Sequence, residues 1–206
     1  MKRAPTFFTF VLFSLGLFVL VASSVLFSGK KPLVAIAAGE VHSATTTEQT
    51  YLSSDLQYMI TYPSDFTVNS LYSYKPTGPE QAISGVSFTI PSSGTNLAPN
   101  SFLSVESLGT KDCSIDAFFG NVTPTSTQSI VDKGTAYTVA ESSWGKRNHY
   151  EEYVYLLRDT HPCIAVRYFL HYTDMSIYTP GTVQEFNHDE VIAQLDTIRE
   201  SLTLNQ

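Results

Sequence analysis

Residues 161 to 172 read HPCIAVRYFLHY, with a cysteine near the start and a histidine at each end. Imidazole and thiolate are the usual zinc ligands, and imidazole is also a general base near neutral pH. The preceding segment HYEEYVYLLRDT adds His149, Glu151 and Glu152. The two segments pair naturally as an antiparallel hairpin. A loop over Arg158 to Pro162 sets Leu157 opposite Cys163, Tyr155 opposite Ala165, Tyr153 opposite Arg167, Glu151 opposite Phe169 and His149 opposite His171. Two imidazoles would then meet across the ladder, with Glu151 two residues along on the same face. That is the start of a zinc-type, hydrolytic site, though it lacks a further strong ligand and an outer shell. The competing reading, which we favour, is of two strand-end histidines titrating independently. The register decides between them, because a slip of one residue sends the side chains to opposite faces.

Arg167 carries a different expectation. Ile164, Val166, Tyr168 and Leu170 form an apolar face, which leaves Arg167 on the other with Cys163, Phe169 and His171. Glu151 or Glu152 lies within reach of it, as a cross-strand ion pair worth at most about 1 kcal/mol. The face of Arg167 and His171 is also the candidate ligand-binding face, its ligand unspecified. No Gly-x-Ser-x-Gly, His-Glu-x-x-His or phosphate-cradling glycine loop occurs, so no catalytic set and no cofactor is expected. Ser142-Ser143-Trp144-Gly145 holds the only tryptophan and reads as a turn.

The elements that must position these residues follow from periodicity. Alternating stretches predict strands over 57–62, 67–74, 85–90, 102–108, 129–132, 136–141, 150–157 and 163–172, with a Lys133-Gly134 hairpin turn. A short helix starts near Ser114 with Ile115, Phe118 and Phe119 inward. A longer one follows Asn187, a good N-cap with Glu190 three residues on, and Phe186 and Val191 at staple positions. Its apolar stripe is Val191, Ile192, Leu195 and Ile198, with Asp189, Gln194, Asp196 and Arg199 toward solvent. A long amphipathic helix on an antiparallel sheet is an α+β arrangement. Cys113 and Cys163, an even pair, read as one disulfide if the domain lies outside the cytoplasm, and otherwise as two buried thiols.

The opening YLSSDLQYMITYPSDFTV resembles that of PsbP-like domains and related bacterial lipoproteins, through Tyr51, Tyr62-Pro63 and Phe66. It departs at Leu56-Gln57-Tyr58, where that family favours a Gly before the aromatic, and at Phe66, where Trp is usual. The ending, a helix through Leu195 and Ile198 into Leu202-Thr203-Leu204, is similar as well. SFTIPSSGTNL and the RYFLHY, PGTV and EF series resemble bacterial exported proteins. The PsbP-like resemblance implies an α/β/α sandwich around an antiparallel sheet, used mostly in non-catalytic accessory or binding proteins. It carries no binding-site residue over to this chain.

Residues 7 to 27, FFTFVLFSLGLFVLVASSVLF, contain no charge. As a helix they would span about 31 Å, enough for a hydrocarbon core of about 30 Å. Lys2 and Arg3 precede them, as for a cytoplasmic N-terminus, although Lys30 and Lys31 follow. We read residues 1–6 as a short cytoplasmic end, 7–27 as a transmembrane signal anchor, 28–50 as a Thr- and Ser-rich flexible tether and 51–206 as one extracytoplasmic domain. The alternative is secretion after cleavage near Ala35-Ile36-Ala37. Beyond residue 38, eight Lys and Arg face nineteen Asp and Glu, a net charge of −11. Such a domain repels phosphate backbones and excludes nucleic acid as a partner. The expected partners are the membrane, through the single N-terminal helix, and another envelope protein. The expected role is that of a single-pass cell-membrane protein carrying a non-catalytic binding or accessory domain. The other role open to it is an anchored metal-dependent hydrolase using His149, His171 and Glu151.

Overall fold

The computed structural model describes residues 46–53, 55, 58–75, 82–110, 113–119 and 122–204. The apolar run, the expected cytoplasmic end and most of the expected tether lie outside these residues. Among the described residues no helix is long and apolar enough to cross a membrane.

The strands are β1 (Glu48–Ser53), β2 (Tyr58–Pro63), β3 (Thr67–Tyr74), β4 (Ile83–Thr89), β5 (Phe102–Leu108), β6 (Ser126–Asp132), β7 (Thr135–Gly145), β8 (Asn148–Leu157), β9 (Cys163–Thr173) and β10 (Thr203–Leu204). The helices are α1 (Asp116–Phe119) and α2 (His188–Glu200). A seven-stranded antiparallel sheet runs β3-β4-β5-β9-β8-β7-β6, and a three-stranded one runs β1-β2-β10. Glu48 to Thr50 pair with Thr61 to Pro63, so the end of the expected tether is strand. Main-chain pairing needs no large apolar side chain, and threonine favours extended backbone, so the polar composition there hid the strand.

The large sheet is covered on both faces. On one, Val86, Phe88, Leu103, Val105, Val166, Tyr168 and Leu170 share a core with Tyr58 and Ile60 of the small sheet and with Leu195 and Ile198 of α2. Burying each of those two helix side chains contributes about 1.5–3 kcal/mol. On the other, Ala140, Val154, Leu156 and Ala165 pack with Ile115, Phe118 and Phe119. The expected α/β/α sandwich is thus lopsided. One outer layer combines α2 with a small sheet, and the other is a helix of four residues. The architecture is mostly antiparallel sheet with few helices.

Local chemistry fixes the hairpins and the ends of α2. Lys133 and Gly134 both have positive φ, the geometry of a type I′ turn that matches strand twist. Asn187 caps α2 by accepting from the Glu190 amide at 3.3 Å. At the other end, Ser201 Oγ donates to the Ile198 carbonyl at 2.6 Å, lies 3.1 Å from the Thr61 carbonyl and accepts from the Thr61 amide, joining α2 to β2. Arg199 is a correction to the helical pattern. It is buried, not solvated, with Nη2 2.6 Å from Asp132 Oδ2 and Nε donating to Tyr168 Oη at 2.9 Å. The rings of Tyr137 and Tyr155 flank its guanidinium. A guanidinium is weakly hydrated and stacks on aromatic faces, so helical position alone does not assign it to solvent.

The candidate functional site

The hairpin of β8 and β9 is one residue out of the expected register. Tyr150 faces His171, Glu152 faces Phe169 and Val154 faces Arg167. The cause lies in an asymmetric loop. Pairing ends at Leu156 and Ala165, Leu157 turns to Tyr137 of β7, and Cys163 pairs with Leu108 of β5. Within the loop, Thr160 Oγ1 donates to the Leu157 carbonyl and accepts from the Ile164 amide, adding a residue on the β9 side.

The slip disperses the expected metal set. His149 lies flat against Tyr172 on one face, with ring centroids 5.0 Å apart. His171 stacks on Tyr150 on the other face at 4.4 Å, and its Nδ1 is 2.8 Å from Asn100 Oδ1. Burial holds His171 below its ordinary pKa. Among the described residues no group of three His, Cys, Asp or Glu is placed to hold a metal ion. The pairing of His149 with His171, and the hydrolytic site built on it, is therefore corrected.

Arg167 does lie opposite the apolar face, but its setting differs from a surface ion pair. The side chain is fully buried and held by Glu106 through Nε to Oε1 at 2.7 Å and Nη2 to Oε2 at 2.8 Å. Nη1 donates to Glu152 Oε1, and Nη2 also donates to the Phe118 carbonyl at 2.7 Å. Glu152 is thus the hairpin partner, and Glu106 from β5 was not foreseen. Ser104 Oγ and Tyr72 Oη complete the shell of Glu106 at 2.8 and 2.9 Å. Tyr72 reaches Glu106 across β4 at Gly85, which lies between them in the ladder and has no side chain to block the way. One arginine faces two carboxylates here, and among the described residues Glu152 Oε2 has no hydrogen-bond partner. Burial outweighs the attraction of Arg167 and raises the pKa of Glu152. Cys163 on the same face is joined to Cys113 as expected, with Cα atoms 5.5 Å apart.

The richest surface chemistry surrounds Glu151, one residue away and on the opposite face. Tyr172 Oη donates to its Oε1 at 2.7 Å, Tyr153 Oη donates to Oε2 at 2.9 Å, and His188 Nε2 lies 2.8 Å from Oε2. Burial pushes this carboxyl up, but the hydrogen bonds from His188, Tyr172 and Tyr153 together outweigh it, and its pKa is lowered. Glu151 is therefore a fixed acceptor at neutral pH rather than a proton donor. His188 reaches it because buried Asn96 ties two segments together. Its Nδ2 donates to the Thr173 carbonyl at 2.8 Å, and its Oδ1 accepts from the Phe186 amide at 2.8 Å. No spacing in the sequence relates His188 to Glu151, and it escaped the sequence reading for that reason.

Two cavities meet at this carboxylate. One, of about 240 Å³, is lined by Ser143, Trp144, His149, Tyr150, Glu151 and Tyr172, with Gly145. The other, of about 250 Å³, is lined by Thr125, Glu141, Ser142, Ser143, Glu151 and Tyr153. The residues Ser142 to Gly145, expected as a turn, are the last part of β7. Its pairing with β6 ends at Glu141, so among the described residues this stretch is an edge of the sheet. Half-exposed Trp144 stacks on Tyr150 at 5.5 Å, and the aromatic row continues through Phe169 to Phe102 and Tyr72.

No family model matches the chain, and no curated protein matches it. Among solved structures it is similar to the solution structure of cyanobacterial PsbP (CyanoP) from Synechocystis sp. PCC 6803. Identity is 16% and the TM-score 0.43, over 86% of this chain and 99% of that one. Likeness at this level does not bear on what either protein binds.

Proposed function

We propose that this chain is a membrane-tethered, extracytoplasmic, non-catalytic binding domain whose ligand occupies the groove beside Glu151. The observation that carries the reading is the pair of contiguous cavities meeting at a carboxylate already held by three donors. A carboxylate fixed this way presents an acceptor of defined direction, which suits recognition. It is poorly suited to delivering a proton, since its pKa is displaced downward from its ordinary value. The PsbP-like resemblance of the sequence, in a family of mostly non-catalytic proteins, fits the same reading. Support for the tether comes from the uncharged run at residues 7–27 and from the paired cysteines, which belong to an oxidising compartment.

The test is site-specific photocrosslinking in intact cells, with a benzoylphenylalanine replacing Ser143 in the shared wall or Ser129 on the remote β6 edge. The expected result is a light-dependent adduct from position 143 and none from 129. Equal labelling at both positions, or none at 143, would count against the groove. Mass spectrometry of the mature N-terminus tests the tether. Retention of residues 7–27 is expected, and a terminus near Ala38 would show a released protein.

A further inference from the structure

The amide of Arg158 donates to the Ala136 carbonyl at 3.0 Å, and the amide of Thr125 donates to the Glu141 carbonyl at 2.7 Å. Ala136 therefore turns its backbone groups toward β8, and Glu141 turns its own toward β6. That direction alternates residue by residue along a strand. Strand β7 keeps one register with β8 from Tyr137 to Gly145, so the alternation runs unbroken through Ser143. Ser143 then points its N–H and C=O away from β8, on the side where β6 has already ended at Ser126. Among the described residues no turn or loop backbone bonds to either group. The chain before β6 stops short of them. Thr125 places its Oγ1 as well as its amide on the Glu141 carbonyl, and Val122 packs beside α1 on the opposite face. An unpaired ladder of this kind is a template for another strand.

The groove face supplies the selectivity. Ser143 stands directly opposite Glu151 in the ladder, and both residues line both cavities. A strand added here would run about 4.8 Å from β7, and its residue paired with Ser143 would project onto this same face. Glu141 and Glu151 flank that position, and both line the second cavity. Ser126 Oγ donates to Oε1 of exposed Glu141 at 2.7 Å, which leaves Oε2 to a cation. Exposed Lys146 and Arg147, in the turn past Gly145, would repel a second basic group, so the match is one Lys or Arg rather than a polycation. The other free edges offer less. A bulge between Asn69 and Tyr72 interrupts β3, and the outer edge of β6 borders neither cavity.

We propose that the edge at Ser143 accepts an extended polypeptide segment as an added strand, with a Lys or Arg of that segment opposite Ser143 and facing Glu141 and Glu151. The proposal rests on the reading of the groove as a binding site and adds the class of partner. The probe is a pool of acetylated, amidated heptapeptides with lysine fixed at the centre and Ser, Thr, Val or Ile elsewhere. Amide hydrogen exchange is followed in the full-length chain in detergent micelles. In the free chain the Ser143 amide should exchange fast, and those of Ala140 and Ser142, which face β8, slowly. The lysine pool at millimolar concentration should protect the Ser143 amide. A pool with glutamate at the centre should protect it far less, and a lysine pool N-methylated throughout should not protect it. Ser143→Pro removes an amide that points out of the sheet, where proline is tolerated, and should abolish binding with unchanged thermal unfolding. Ser142→Pro breaks the ladder to β8 and should lower the unfolding temperature. If Ser143→Pro lowers it equally, the direction of the Ser143 groups is wrong and the proposal falls. Glu141→Gln can still accept from Ser126 and should weaken the lysine pool roughly two- to fivefold, the worth of an exposed ion pair. Equal protection by the lysine and glutamate pools, or protection by the N-methylated one, would overturn the proposal. If no pool protects Ser143 while position 143 still crosslinks in cells, strand addition is wrong and the binding reading survives. If neither occurs, both fall.

Discussion

Alternation along β8 sends Glu151 and Glu152 to opposite faces, where they acquire opposite electrostatics. Glu151 gains three donors and a lowered pKa, so its contribution to stability is present above about pH 4.5 and fades as pH falls through its folded-state value. Glu152 is buried with one arginine already engaged by Glu106, and its pKa is raised. Its contribution is complete below about pH 4.5 and is lost as pH rises through its folded-state value. Urea unfolding across pH should therefore show wild type losing stability relative to Glu152→Gln as pH rises. Relative to Glu151→Gln, wild type should instead lose stability as pH falls. The same slope for both variants would contradict the assignment. Arg167 tests the buried cluster itself. Replacing it with Met strands two carboxylates in the interior, and chemical denaturation should show a loss of about 3–5 kcal/mol. A loss under about 1 kcal/mol, as for a surface pair, would contradict the burial seen here.

At the scale of elements, strands and the long helix were legible wherever one side met the core and the other did not. Tyr58–Pro63 shows this alternation, with Tyr58, Ile60 and Tyr62 buried and Met59 exposed, and Asn187 announces the start of α2. Strand β1 was hidden because Glu48 to Thr50 are exposed and polar, and their order comes from pairing with β2. The candidate site was harder to read because it depends on register. Thr160 Oγ1 adds one residue to the β8–β9 loop, which separates His149 from His171 and brings Glu152 to Arg167. Nothing local encodes Glu106 or His188 as partners, since they arrive from β5 and from the start of α2. Gly85 makes the matching element-level prediction. A Cβ there would lie 2.1 Å from the Val105 carbonyl oxygen and 3.1 Å from the Glu106 Cα. Gly85→Ala should destabilise by about 1–3 kcal/mol in thermal or urea unfolding, the usual cost of overpacking. A neutral effect would show that β4 and β5 can separate at no cost.

At the scale of the whole molecule, a stapled domain carries an open groove at the edge of its large sheet. The Cys113–Cys163 bridge closes a separation of 50 residues, and its loss as the double serine variant should lower stability by about 4 kcal/mol in the chain-entropy account. Urea unfolding of the oxidised wild type against the variant measures this, and coincident curves would show that the bridge contributes nothing. The net charge of −11 beyond residue 38 would repel phosphate backbones, and the groove beside Glu151 is lined mostly by polar side chains. The central claim is that ligand meets the chain at this groove. It is tested most directly by amide and indole shifts in nitrogen-15 NMR spectra of the full chain, titrated with a soluble digest of the cell envelope. The account expects perturbations centred on Ser143, His149, Glu151 and Tyr172, with Ser129 and the small sheet unmoved. Shifts centred elsewhere, or none at saturating digest, would contradict it.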